Sequence, residues 1–156
     1  MNLNTEHKLL LDNVTTGIVL LSSDLRFLYV NASAEALLEI SDHKAHHLFI
    51  GDVLKNAEED IGEMQTAIVK NSSLTKLRAE LHTIHSKKLI VDYTINPFDK
   101  NGETNALLEL NSIEQSQKIT REVSLNSAYT TTRELVRGLA HEIKNPLGGI
   151  RGAAQL

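Results

Sequence analysis

The sequence contains no cysteine and no tryptophan, only two prolines, and only three phenylalanines and three tyrosines among 156 residues. Without cysteine there are no disulfides, no thiolate metal sites and none of the cysteine adducts that flavin photosensors form. So few aromatics leave little flat surface to line a flavin slot. Long apolar runs are also missing: the longest covers a few residues, far short of the roughly 20 that a bilayer-spanning helix needs. The N-terminus, MNLNTEHKLLLDNV, has no basic stretch followed by an apolar one, so no leader is expected and the chain reads as cytoplasmic. A basic excess is lacking too. Lys and Arg number 16 against 20 Asp and Glu, a formal charge of −4, which provides no field for gripping a phosphate backbone. Nucleic acid and membrane are not expected partners.

The pattern that is present is that of one α+β domain followed by helix. Leu3, Leu10 and Val14, widened by Leu9 and Leu11, make a short amphipathic helix over residues 1–14. It reads either as an end-cap packed on the next domain or as a dimer contact. From Gly17 the period changes. GIVLL is a short buried strand, SSD a turn, and LRFLYV a second strand, with Phe27 and Tyr29 expected on one face and Leu28 and Val30 on the other. Asn31 stands where a helix N-cap belongs, ahead of Ala36, Leu37 and Ile40 on one side of a short helix. Residues 41–73 read as short helices, with Ile61, Met64, Ala67 and Ile68 on one stripe.

Strand alternation returns after Ser73. Leu77, Ala79, Leu81 and Thr83 are expected to point inward, with Lys76, Arg78, Glu80 and His82 outward. KLIVDYTINP follows, with Leu89, Val91, Tyr93 and Ile95 inward and Pro97 as its end; then an Asn-Gly turn, and a last strand carrying Ala106, Leu108 and Leu110. The expected fold is a five-stranded antiparallel sheet with short helices on one face, spanning residues 15–113. Residues 114–132 are polar, without proline or glycine, and read as a helical connector to a terminal helix at 133–156.

That terminal segment, HEIKNPLGGIRGAAQL, carries the chemistry. Val136, Ile143 and Ile150 fall at heptad position a, Leu139, Pro146 and Ala153 at d, and Ala140, Leu147 and Ala154 at e, a stripe wide enough for a helix in a four-helix bundle. His141 falls at f, on the water side. Gly138, Asn145, Gly148 and Gly152 lie at −3, +4, +7 and +11 from it, on its own face. The glycines inside the helix sacrifice about 3 to 4 kcal/mol of propensity, and bare flanks let something large approach the imidazole. Gly149 lies off this line and eases the bend at Pro146. An exposed imidazole is a nucleophile toward a phosphoryl group, Glu142 can hold the proton on the other ring nitrogen, and Asn145 can orient a water. The zinc motif His-Glu-x-x-His is excluded, because position 145 is Asn.

On these residues, Leu135 to Leu156 resembles the phosphoacceptor box of two-component sensor histidine kinases, and more narrowly their nitrogen-regulation branch, the NtrB kinases. Upstream, GIVLLSSDLRFLYVNASAEALLEIS resembles the first hairpin and helix of a PAS domain. The resemblance implies a dimeric cytoplasmic kinase that phosphorylates itself from ATP and Mg, hands the phosphoryl group to an aspartate of an NtrC-type response regulator, and is turned toward phosphatase action by the PII signal-transduction protein. It makes His141 the phosphoacceptor, Glu142 its acid/base partner and Asn145 the phosphatase-supporting amide, with Pro146 bending the helix and Gly138, Gly148 and Gly152 keeping the access face clear. No Gly-rich ATP lid or Mg-binding asparagine box occurs in these residues, so this stretch is expected to bind no ATP and to be inactive alone. Two other classes fit parts of the pattern: a non-enzymatic dimeric PAS scaffold, and a chromophore-binding redox sensor. His43, His46, His47, His82 and His85 are the residues a haem or metal would use. Their placement among polar neighbours points to surface, so no cofactor or metal is expected in the domain.

Overall fold

The computed structural model describes residues 4–124. Within residues 1–115, one compact unit, the elements run α1 (Thr5–Asp12), β1 (Gly17–Ser22), β2 (Phe27–Val30), α2 (Ala32–Leu38), α3 (Asp42–Ala45), a 3-10 turn (Ile50–Asp52), β3 (Leu54–Lys55), α4 (Glu58–Val69), β4 (Leu74–Thr83), β5 (Lys88–Lys100) and β6 (Glu103–Ser112). The strands form one antiparallel sheet in the order β2-β1-β6-β5-β4-β3. It has six strands where five were expected. The sixth is β3, whose two residues pair with Thr83 and His82 and are too few to show a period.

One face of the sheet carries the core. Val19, Leu21, Phe27, Leu81, Tyr93, Ile95 and Leu108 are fully buried beneath α2, α3 and α4, together with Met64, Ala34 and Leu38 from the helices. Each large apolar side chain so covered contributes about 1.5–3 kcal/mol relative to exposure. Gly17 marks how closely α2 lies on β1, since a Cβ there would stand 3.2 Å from Leu37 and 3.3 Å from Ala34. The β5–β6 hairpin turns through Asn101 and Gly102, both with positive φ (54° and 83°), which is the two-residue turn whose twist suits a hairpin.

Two bulges overturn expectations of facing. Between Leu20 and Leu21 the register with β2 shifts, so Phe27 pairs with Leu21 on the core face while Tyr29 pairs with Leu20 on the other. The two aromatics therefore part. Between Lys76 and Ala79 the register of β4 against β5 also shifts, with Arg78 at φ 53° and its N–H bonded 2.7 Å to Asp92 Oδ1. An extra residue resets strand parity. Leu77 is thrown outward, 69% exposed, and Lys76 comes to lie opposite Tyr93 on the core side. Pro97 does not end its strand: β5 continues to Lys100, paired with β6 throughout. Beyond Ile95 no β4 residue pairs with it, and an open edge tolerates a missing N–H.

Residues 113–124 are helical. In the second unit, which begins at Ser116, Thr120 Oγ1 bonds the Ser116 carbonyl, and Ile119 and Val123 are exposed.

Candidate functional site

His141, Glu142, Asn145 and Pro146, with Gly138, Gly148 and Gly152, all lie outside the described residues, as does the rest of the connector from 125. The described geometry is that of the α+β domain, where polar chemistry gathers at three places.

The first is beneath α4. Its buried stripe is Asp60, Met64, Ala67 and Ile68, three apolar residues and one acid. Asp60 is 9% exposed and accepts two hydrogen bonds at Oδ1, each 2.9 Å: one from the Tyr93 hydroxyl and one from Lys76 Nζ. Lys76 also reaches Glu63 Oε2 at 3.0 Å. The β4 bulge makes this possible by turning Lys76 inward. Burial raises the pKa of the Tyr93 hydroxyl, and its bond to Asp60 and the neighbouring acids raise it further. Lys76 is raised by its bonds to Asp60 and then Glu63. Both groups thus keep their protons at neutral pH, so neither serves there as base or nucleophile. The arrangement seats α4 by charge and performs no proton transfer.

The second is Asn31, fully buried with all four of its side-chain bonding capacities used. Its Oδ1 accepts from the N–H of Ile18 (2.8 Å) and of Ala34 (3.0 Å), the latter being the N-cap bond of α2. Its Nδ2 donates to the carbonyls of Leu11 (2.7 Å) and Thr16 (3.1 Å). Asn31 thereby joins α1, β1 and α2. Beside it, Asp12 Oδ1 accepts from Ala32 N–H at 3.1 Å and from the Tyr29 hydroxyl at 3.4 Å, while Lys8 Nζ lies 5.5 Å from the Tyr29 ring centre. Burial and the Asp12 charge push the Tyr29 pKa up to about 12. So α1 is held by polar contacts, and its apolar residues turn away: Leu9 and Leu10 are 64% and 67% exposed.

The third is the outer side of α4, flanked by two open grooves. One, of about 630 Å3, runs between α4 and the Phe49–Leu54 segment; the other, about 430 Å3, runs between α4 and Ser72–Leu74.

The histidines do not converge. His43, His46, His47 and His85 are exposed, His46 and His47 with ring centres 4.0 Å apart. His82 lies 3.8 Å from Glu80. Among the described residues, no three His, Cys, Asp or Glu side chains are grouped to hold a metal ion. No described helix is long and apolar enough to cross a membrane.

No protein-family model matches the chain. Curated proteins do. The chain is 32% identical over 151 residues to the sensory histidine kinase/phosphatase NtrB of Proteus hauseri, covering 97% of this chain and 42% of that protein. Against NtrB of Klebsiella oxytoca it is 33% identical over 147 residues, 94% and 41% of the two chains, and against that of Vibrio alginolyticus 30% over 147 residues, 94% and 42%. Over the span they share, this chain is similar to NtrB. It spans about two-fifths of the length of these relatives. Because the alignment with the Proteus protein covers 97% of the 156 residues, its span takes in His141 wherever its ends fall. Among solved structures, the PAS domain of nitrogen regulation protein NR(II) from Vibrio parahaemolyticus superposes with TM-score 0.59 at 19% identity, covering 70% of this chain and all of that one. A PAS domain from Colwellia psychrerythraea gives 0.60 at 15% identity, covering 69% and 94%. The α+β unit therefore has the PAS fold.

Sequence reasoning missed the Asp60–Tyr93–Lys76 network. One signal for it was available: an acid four residues before Met64 on the otherwise apolar stripe of α4.

Proposed function

We propose that this chain is the sensing and phosphoacceptor portion of a cytoplasmic, homodimeric two-component histidine kinase of the NtrB type. Similarity to NtrB over a span that includes His141 is the observation that carries this reading. An imidazole nitrogen of His141 attacks the γ-phosphorus of Mg-bound ATP held on a separate ATP-binding domain; the P–N bond forms as the bond to ADP breaks, and ADP leaves. Glu142 holds the proton on the other ring nitrogen and takes part of the developing positive charge. The phosphoryl group then passes to an aspartate of an NtrC-type regulator. In the reverse duty, the Asn145 amide orients a water against the phosphorylated regulator. The PII protein biases the kinase toward this second activity, and the PAS domain relays partner binding to the His141 helix through the helical connector.

The test supplies the activity in trans. The chain is incubated with a separately purified ATP-binding domain of an NtrB-type kinase and labelled Mg-ATP. It should acquire an acid-labile, alkali-stable label that transfers to an NtrC-type receiver domain. His141→Gln should take up none, and a labelled His141→Gln chain would refute the assignment. Asn145→Ala should label normally yet fail to support phosphatase action.

A further inference from the structure

The outer face of α4 has no partner among the described residues of its own chain. Glu58, Gly62, Gln65, Thr66, Val69 and Lys70 are exposed and recur at helical spacing along it, and Val69 is 78% exposed. Gly62 sits mid-helix with nothing within 4 Å of where its Cβ would be. A mid-helix glycine gives up about 1 kcal/mol relative to alanine, and no neighbour within the domain requires it. Beside this ridge, Phe49, Leu54 and Ile61 line the groove of about 630 Å3.

The order of residues along the face is self-complementary. Glu58 and Lys70 stand at equal distances on either side of Met64, as do Gly62 and Thr66. A twofold axis level with Met64 would lay two α4 helices antiparallel, so that these two pairs meet across it. Glu58 of one copy then faces Lys70 of the other at both ends of the contact, about 9 Å from the axis at 1.5 Å rise per residue. Gly62 faces Thr66, where the lack of a side chain lets the backbones approach. Val69, on the rim of the groove lined by Phe49, Leu54 and Ile61, falls inside the contact on both copies. Antiparallel helix dipoles add a favourable term.

We propose that this face is a contact between two copies of the chain, packed antiparallel through α4. The proposal rests on the dimeric reading above and names one interface within it. Apolar burial of Val69 and the groove rim provides affinity, and the exposed Glu58–Lys70 pairs fix register more than strength.

The natural sequence has no cysteine, so one introduced thiol reports on one place. Sedimentation equilibrium of the full chain first establishes whether it dimerises. Gln65→Cys, next to the axis, is then compared with Asn101→Cys in the β5–β6 turn during mild oxidation, after circular dichroism has shown both to be folded. If the interface is correct, Gln65→Cys cross-links at least about tenfold faster. Adding Glu58→Lys slows the reaction, and combining Glu58→Lys with Lys70→Glu restores it. A chain that is dimeric by sedimentation, yet cross-links through Gln65→Cys no faster than through Asn101→Cys, overturns this interface and leaves the dimeric reading standing. A chain that stays monomeric overturns both.

Discussion

Asn31 and Lys76 each tie a helix to the same sheet, and they do it with opposite chemistry. Asn31 is neutral, fully buried and saturated: four bonds to four backbone groups, with no formal charge to desolvate. Lys76 is a cation at the margin, facing two acids and, through Asp60, a buried phenol. The Asn31 end lies where β1, α1 and α2 converge, while the Lys76 end lies under a helix whose outer side is flanked by open grooves. A saturated neutral hub fixes its elements at little electrostatic cost. A charged seat holds only while every member is present, because removing one leaves another charge buried without its counter-ion. The α2 end is thereby built as a fixed corner of the domain, and α4 as a separately anchored element.

The harshest way to test the contrast is to remove the hub. Asn31→Ala strands the N–H groups of Ile18 and Ala34 and the carbonyls of Leu11 and Thr16, and should lower unfolding free energy by about 3–5 kcal/mol in urea titration. A loss under about 1 kcal/mol would show that water replaces the amide freely. Lys76→Met comes next, with an expected loss of about 2 kcal/mol, because Asp60 keeps only its bond from Tyr93. Lys76→Met combined with Asp60→Asn should recover more than half of that loss, as no uncompensated charge remains. If the double variant is instead worse than the sum of the singles, the seat is held by packing and not by charge.

The last effect, absent at neutral pH, sharpens the N-terminal side. In the unfolded chain Tyr29 loses its proton near pH 10, whereas in the folded domain it keeps it to about 12. The unfolded state therefore binds fewer protons across that interval. This share of stability is intact below pH 10 and is lost as pH rises toward 12, by about 2 kcal/mol at the alkaline end. Tyr29→Phe should flatten that part of the stability–pH curve, and an unchanged slope would place the alkaline loss elsewhere.

Much of this fold was legible because its signals are local. Asn31 declares a cap by being an Asn ahead of an apolar-periodic run, Asn101–Gly102 declares a hairpin by tolerating positive φ twice, and Tyr93 and Ile95 declare a core face by alternation. What escaped is what alternation cannot carry. Each bulge adds one residue, which leaves composition unchanged and reverses every facing beyond it; this is how Tyr29 came to be paired in expectation with Phe27, and Leu77 was placed inside. The Lys76–Asp60 seat depends on the second bulge, so it was hidden by the same slip. The box around His141 is read on other grounds: its residue types suit phosphoryl transfer and need no register, and it lies outside the described residues.

Residue-resolved amide hydrogen exchange on the wild type and on Lys76→Met tests most directly whether α4 is anchored separately from the rest of the domain. A separately anchored α4 should show its amides from Gln65 to Val69 exchanging about 30-fold faster in the variant, as a loss of about 2 kcal/mol requires, and in both proteins exchanging ahead of those of Ile18 and Ala34, through an opening that leaves the other end protected. A single common rate at both ends, or no acceleration at α4, would rule separate anchoring out.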